Sequence, residues 1–392
     1  MLGLQLSQIA TKDTPARLDA FRHRAISFDP HSLNTGWEDV LVAEGLALYG
    51  RAFDDGEALT WVHRWLEHHL GVPIAEDARY IPSFTTSGEL IRGVKLCDYC
   101  GNWGLPLAAV PYGQGAYVRE RREEEANSLA GAVRQIADYV LEHAARGARG
   151  VIRHGGFTEG IWVDTLYYAA APLAKAYSLT GEAAYAKEAL RQCLLHAELL
   201  RDPLTGLFFH DYDPTLQFRT TGFWSRGNGW VIVSFAEVLA RVPQTMPGCA
   251  ELRDHFVALA TALLRLRHAT GLWRIIPDNP DSHLETSGSV MIALGLALGI
   301  AGGLLDPNTI AVVMETLAEL TTWIETDPRT RHPGALMGSE QPAGVGGWEI
   351  HKTVPLGEST YTTGLFLKLL ATVKALGMDV PHGTESRRSN AD

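Results

Sequence analysis

The chain has 392 residues, of which 46% are hydrophobic and 20% charged, and carries a formal net charge of -11 at pH 7. This is the composition of a globular protein with a large core, and it excludes a disordered or fibrous chain. The acidic balance disfavours nucleic acid as a partner, because a polyphosphate wants a basic face, but leaves room for a small anion held by one or two local bases.

Taken in chain order, apolar residues at helical spacing predict about eleven helices, with ends good to a few residues. They cover 37–51, 57–70, 90–110, 126–145, 162–178, 182–200, 228–241, 251–268, 287–301, 309–325 and 360–376. In 182–200, Tyr185, Ala189, Cys193 and Ala197 fall on one side with Ala186, Leu190 and Leu194. Glu182, Lys187, Glu188 and Arg191 fall elsewhere, so the helix has one apolar stripe and one wet face. Alternation with period two is scarce, and strands are expected to be short, at 206–211 and 271–276. Tight links such as 179–181 alternate with long loops at 147–160, 202–227 and 327–358. That alternation predicts helical hairpins standing side by side with the long loops gathered at one end, where long loops are usually functional. One domain over 1–378 is expected, followed by a disordered tail over 379–392. No run of about 18 apolar residues occurs, so no membrane partner is expected. The N-terminus lacks a basic start and an unbroken apolar run, and the cysteines are few, so a cytoplasmic chain with reduced thiols is expected.

Five segments carry candidate chemistry. In Trp162-Val-Asp-Thr-Leu-Tyr167, Asp164 opens an apolar helix. It is either a helix cap or a carboxyl group in an aromatic setting that raises its pKa and keeps a transferable proton. In Phe223-Trp-Ser-Arg-Gly-Asn-Gly-Trp230, two tryptophans bracket Arg226. A plain turn would explain the glycines but not Trp224, Arg226 and Trp230, which suit a sugar ring and its carboxylate. His210 lies between two aromatics and two acids in a long loop, as a structural histidine or a polar substrate contact. Asp98, in Cys97-Asp-Tyr-Cys100, is a cap or a second carboxylate. A zinc or redox use of Cys97 and Cys100 would need ligands or a βαβ context that the sequence does not offer. Segments 271–274 and 283–288 either wall a cavity or pack a helix start. Machinery for phosphoryl transfer, serine hydrolysis or zinc proteolysis is not visible.

Together these segments resemble the unsaturated rhamnogalacturonyl hydrolases of glycoside hydrolase family 105 and, more distantly, the unsaturated glucuronyl hydrolases of family 88. The resemblance runs through 37–50, 162–190, 201–213, 223–230 and 270–300, and WVDTLY and FWSRGNGW are its specific parts. It implies an all-α (α/α)6 barrel with Asp164 as general acid/base and Asp98 as second aspartate. Trp162, His210, Trp224, Arg226 and Trp230 would line the substrate pocket. No cofactor and no metal are implied, and the implied partner is a small oligosaccharide ending in an unsaturated uronic acid. The protein is expected as a monomer or homodimer. The implied chemistry is hydration of the C4=C5 vinyl ether. The alternatives are an ordinary glycosidase using two aspartates and, more remotely, a helical scaffold without activity.

Overall fold

The computed structural model describes residues 13–33, 37–70, 137–138, 140–142, 144–154, 158–342 and 348–380. Its elements are overwhelmingly helical. Helix α1 spans Thr14–Ser27, α2 Val40–Phe53, α3 Gly56–Leu70, α4 Ala171–Thr180 and α5 Ala183–Leu200. Then come α6 (Ser225–Leu239), α7 (Cys249–Leu266), α8 (Thr286–Ala301), α9 (Ile310–Thr322), the short α10 (Trp348–His351) and α11 (Thr360–Ala375).

The helices form two layers. Every residue of α6 is buried, and so are nearly all residues of α2, α8 and α11, whereas α5, α7 and α9 bury one stripe. A helix apolar all round must be enclosed, and a helix with one stripe forms the outer wall. The inner helices α2, α11, α8, α6 and α4 follow one another in contact, and α3, α1, α9, α7 and α5 back them. Small residues permit the closest approach. A Cβ on Gly364 would lie 2.0 Å from the Leu41 carbonyl oxygen, and one on Gly45 would lie 2.3 Å from that of Gly364. α2 and α11 therefore touch backbone to backbone.

Among the described residues, seven strands of two or three residues make three small antiparallel sheets. β1 (Ile161–Trp162), β2 (Asp211–Asp213) and β3 (Phe218–Arg219) form the first. β4 (Trp273–Arg274) pairs with β5 (Leu284–Glu285), and β6 (Ser339–Glu340) with β7 (Leu356–Gly357). Each lies in a loop leading into the N-terminus of an inner helix, so the long loops gather at one end as expected. The predicted strand at 206–211 appears as two isolated bridges, at Phe208 and Phe209, running into β2.

Two predicted helices, 90–110 and most of 126–145, lie outside the described residues, as do Cys97, Asp98 and Cys100. The others occur within a few residues of their expected ends, except that 162–178 starts late, with Trp162 in a strand and a π-turn over Leu166–Ala170 ahead of α4. Helix α1 is an addition that the sequence reading did not make. It starts at Thr14-Pro15, where proline suits a first turn, and buries Leu18, Phe21 and Ala25. Arg22 on the same face, held by Asp55 at 2.6 Å, breaks up the apolar stripe in the sequence.

Candidate active site

Asp164 and His210 meet because β1 pairs with β2. Trp162 stands opposite Asp211, and the Val163 N–H donates to the His210 carbonyl at 3.0 Å. This register leaves His210 Nε2 3.2 Å from Asp164 Oδ2. The two atoms are at ion-pair distance but are not aligned for a hydrogen bond, and neither has another partner among the described residues. Asp164 makes no capping bond there. The chain after it forms a π-turn over Leu166–Ala170 before α4, an irregularity often found at functional sites. The capping explanation therefore loses its physical basis.

Burial disfavours the ionised form of Asp164, as the sequence suggested. The net direction is nevertheless the reverse of the expected one. The contact with His210, and the electrostatic influence of His210, His154 and Arg226, outweigh burial and hold the carboxyl below its ordinary range. His154, which the sequence reading passed over, explains part of this. Its ring stacks on Trp162 at 4.0 Å, and its Nδ1 lies 3.1 Å from the Thr165 hydroxyl.

The three expected tryptophans occupy different depths. Trp162 is half-buried, with the His210 ring 5.5 Å away. Trp224 precedes α6 and is buried against Ile275 and Ile276, with its ring 4.5 Å from His210. Trp230 lies deeper, against Tyr167 at 4.8 Å and Tyr168 at 5.3 Å.

Arg226 is not an open cation. Its guanidinium is 2% exposed, and its Nη1 donates to the Glu340 carbonyl at 2.7 Å, to Ser287 at 3.3 Å and to the Tyr361 hydroxyl at 2.5 Å. Its charge also faces the Glu340 carboxylate at 3.4 Å and the Trp224 ring at 4.4 Å. Nearby Glu285 caps α8 by accepting from Ser287 N–H at 2.6 Å and Gly288 N–H at 2.5 Å. Burial, together with the charge of Glu340, pushes the Glu285 carboxyl up to about 7. The expectation that segment 283–288 walls a cavity or packs a helix start is thus met on its packing side.

Glu340 was not singled out in the sequence, since it stands in a loop with no periodic pattern. His351 is fully buried against it, whereas Lys352 sits at the surface paired with Glu349. Below this layer lies a second charged cluster. Lys368 Nζ is 3.0 Å from Glu44 Oε1 and 2.9 Å from Glu237 Oε1, with the Tyr167 hydroxyl at 3.2 Å. Lys175 completes it at 2.5 Å from Glu44 Oε1. These residues sit on apolar helix faces and read as interruptions in the sequence. Among the described residues, no group of three or more His, Cys, Asp or Glu is arranged to hold a metal ion. No described helix is long and apolar enough to cross a membrane.

The sequence profile described as Glycosyl Hydrolase Family 88 matches residues 113–375. The chain is 31% identical over 210 residues to the unsaturated rhamnogalacturonyl hydrolase YesR of Bacillus subtilis (strain 168), which covers 51% of this chain and 59% of that protein. It is 28% identical over 178 residues to an unsaturated 3S-rhamnoglycuronyl hydrolase of Alteromonas sp. (strain LOR), covering 43% of this chain and 42% of that protein. The matches thus span less than two thirds of these curated relatives. Among solved structures, a family 105 glycoside hydrolase of C. acetobutylicum ATCC 824 superposes with a TM-score of 0.73 at 22% identity, over 94% of this chain and 100% of that one. The unsaturated glucuronyl hydrolase of Bacillus sp. GL1 superposes with a TM-score of 0.61 at 17% identity, over 88% of this chain and 87% of that one. At these identities the superpositions speak to fold alone. They bear out the (α/α)6 barrel, five of whose inner and outer helix pairs lie within the described residues.

Proposed function

We infer that this chain, which belongs to glycosyl hydrolase family 88, removes a terminal C4=C5-unsaturated uronic acid from a small oligosaccharide. One observation carries the reading. A buried carboxylate oxygen of Asp164, with no hydrogen-bond partner among the described residues, stands 3.2 Å from His210 Nε2 at the loop-bearing end of the barrel. A group held in this way has its proton-transfer capacity uncommitted.

In this reading Asp164 and His210 together hold one proton. In the free protein the surrounding positive charge keeps it off the carboxyl. An arriving uronate is itself an anion, and a like charge raises a carboxyl pKa. Substrate binding therefore moves the proton toward Asp164, which donates it to C4. Positive charge then develops on C5 and the ring oxygen. Water adds to C5 as Asp164 takes a proton back, and the resulting hemiketal opens and expels the neighbouring sugar. The C–O bond to that sugar breaks without any bond between sugar and protein. Trp162, half-buried, offers a face to the ring. Trp224 packs on His210 with Arg226 over its ring, Trp230 lies deeper against Tyr167, and Asp98 is the proposed second carboxylate. The names of the curated relatives, both hydrolases of unsaturated uronides, support the substrate class.

A single domain over 1–378, a monomer or homodimer, and a cytoplasmic location belong to the same reading. The buried free thiols of Cys193 and Cys249 support a reducing compartment. The test is a panel of lyase-generated disaccharides followed by sugar release. Activity on at least one of them, lost in Asp164→Asn, is the expected result. Release from saturated uronides alone would replace this reading with an ordinary glycosidase.

A further inference from the structure

Glu340 is wholly buried, and its carboxylate has a full set of partners. Oε1 lies 2.6 Å from His351 Nδ1, and Oε2 accepts the Trp224 indole N–H at 2.8 Å. Taking a carboxylate out of water costs several kcal/mol unless such partners repay it, and an apolar side chain in this place would be cheaper. What the charge accomplishes is visible in the Trp224 ring. The ring is tied to Glu340 through its only polar atom, contacts His351 at 5.3 Å with planes 25° apart, and carries the Arg226 guanidinium at 4.4 Å. Beyond Ile275 and Ile276, the ring also meets the His210 ring, 4.5 Å away. His210 has no hydrogen-bonded partner on either ring nitrogen among the described residues. Packing, rather than hydrogen bonding, must therefore orient it. Trp162 at 5.5 Å and Trp224 at 4.5 Å are the rings that do so.

We propose that Glu340 is a positioning residue: by holding the Trp224 indole it fixes the His210 ring at the distance and angle at which it meets Asp164. The proposal rests on the reading of Asp164 and His210 as the proton-transfer pair. Other charged and titratable groups face this chain of contacts. Arg226 from α6, Glu285 at the start of α8, Tyr361 from α11 and His351 surround Glu340, Asp164 and Asp211 flank His210, and His154 stacks on Trp162. None of them donates to or accepts from the indole N–H, so that bond isolates the effect of Glu340.

Two variants test it, each with a melting curve. Glu340→Gln keeps the shape but supplies one acceptor where the carboxylate supplies two. Trp224→Phe keeps an aromatic ring against His210 and removes only the N–H and the second ring. Misplacing a catalytic group by about 1 Å can lower turnover by up to ~100-fold. For each variant we expect kcat to fall at least about tenfold, with KM changing by less than about threefold, by the same positional argument. The imidazole proton signals of His210 should also shift, and its titration midpoint should move, in NMR spectra of both variants. A structural role alone would lower the melting temperature and leave the His210 titration in place. Should Glu340→Gln fail to fold, Trp224→Phe decides the matter. Two folded variants with kcat within twofold of the parent and an unmoved His210 titration would overturn the proposal. A parent protein inactive on every unsaturated disaccharide would overturn the functional reading instead, and the His210 titration would then decide for or against Glu340 by itself.

Discussion

Replacing Lys368 by methionine should expose how much of the barrel's stability depends on the charge cluster below the site. Lys368 Nζ stands between two buried carboxylates, 3.0 Å from Glu44 and 2.9 Å from Glu237. Methionine matches its length but carries no charge. Each carboxylate keeps one cation, Lys175 on Glu44 and Arg241 on Glu237. The loss is therefore about that of one broken buried pair, ~3–5 kcal/mol, rather than of two. The pH dependence gives a sharper test. Burial raises the Glu44 pKa, but Lys175 and Lys368 overcome it and bring the group from 4.5 down to about 2. A carboxyl depressed on folding stabilises the protein above its unfolded pKa, and that contribution is lost as pH falls through the folded value. In Lys368→Met one of the charges that depress each acid is gone, and burial weighs more heavily toward the protonated form of both. The variant should then trail the parent most at pH 7, and the gap should narrow as pH falls below about 4.5, where the freed carboxylates take up protons. Urea unfolding of both proteins at several pH values measures this. A gap that is constant with pH, or below 1 kcal/mol at neutral pH by the usual measure of exposed pairs, would refute the reasoning.

Three further outcomes follow from the site and the packing. Asp164→Asn should lose at least about a hundredfold in turnover, the scale of general acid catalysis, yet melt close to the parent, because no helix-capping bond is removed. A large drop in melting temperature would restore the capping role. Because the pair already holds the proton to be donated and the Asp164 carboxyl is depressed in the free protein, kcat/KM should not rise as pH falls through the carboxylate range, and should drop on the alkaline side where that shared proton is lost. The corresponding limb of kcat should sit at higher pH, since the bound uronate raises the group, and initial rates across a pH series report both. Gly364→Ala should cost about 3 kcal/mol or more in urea unfolding, because the new Cβ would meet the Leu41 carbonyl at 2.0 Å and a backbone atom cannot swing aside.

Much of the barrel is legible in the sequence for a simple physical reason. Outer helices such as α5 must present one apolar stripe, and Tyr185, Ala189 and Cys193 spell it out at helical spacing. Inner helices such as α8 lose the stripe because all sides are enclosed, yet their length and small residues still set them apart from strands. The candidate site was legible where one short segment at a helix start carries several aromatic and charged side chains, as in Trp162–Tyr167 and Phe223–Trp230. It was illegible where a role arises only from tertiary contact. Glu340 and His154 stand in loops without pattern, and nothing local shows that one will hold Trp224 and the other stack on Trp162. The direction of the Asp164 pKa failed for the same reason. The helix sequence reveals the apolar surroundings that raise it, but not His210, His154 and Arg226, which other segments bring to it.

On the proposed reaction, turnover consumes the C4=C5 double bond itself. Its most direct test follows the ultraviolet absorbance of that bond in a lyase-generated disaccharide while the freed sugar is measured in the same reaction. Absorbance is expected to fall in step with release, one double bond lost per sugar freed, and both are expected to stop in Asp164→Asn. Sugar released while the absorbance persists would contradict it and assign the aspartate to ordinary glycoside hydrolysis.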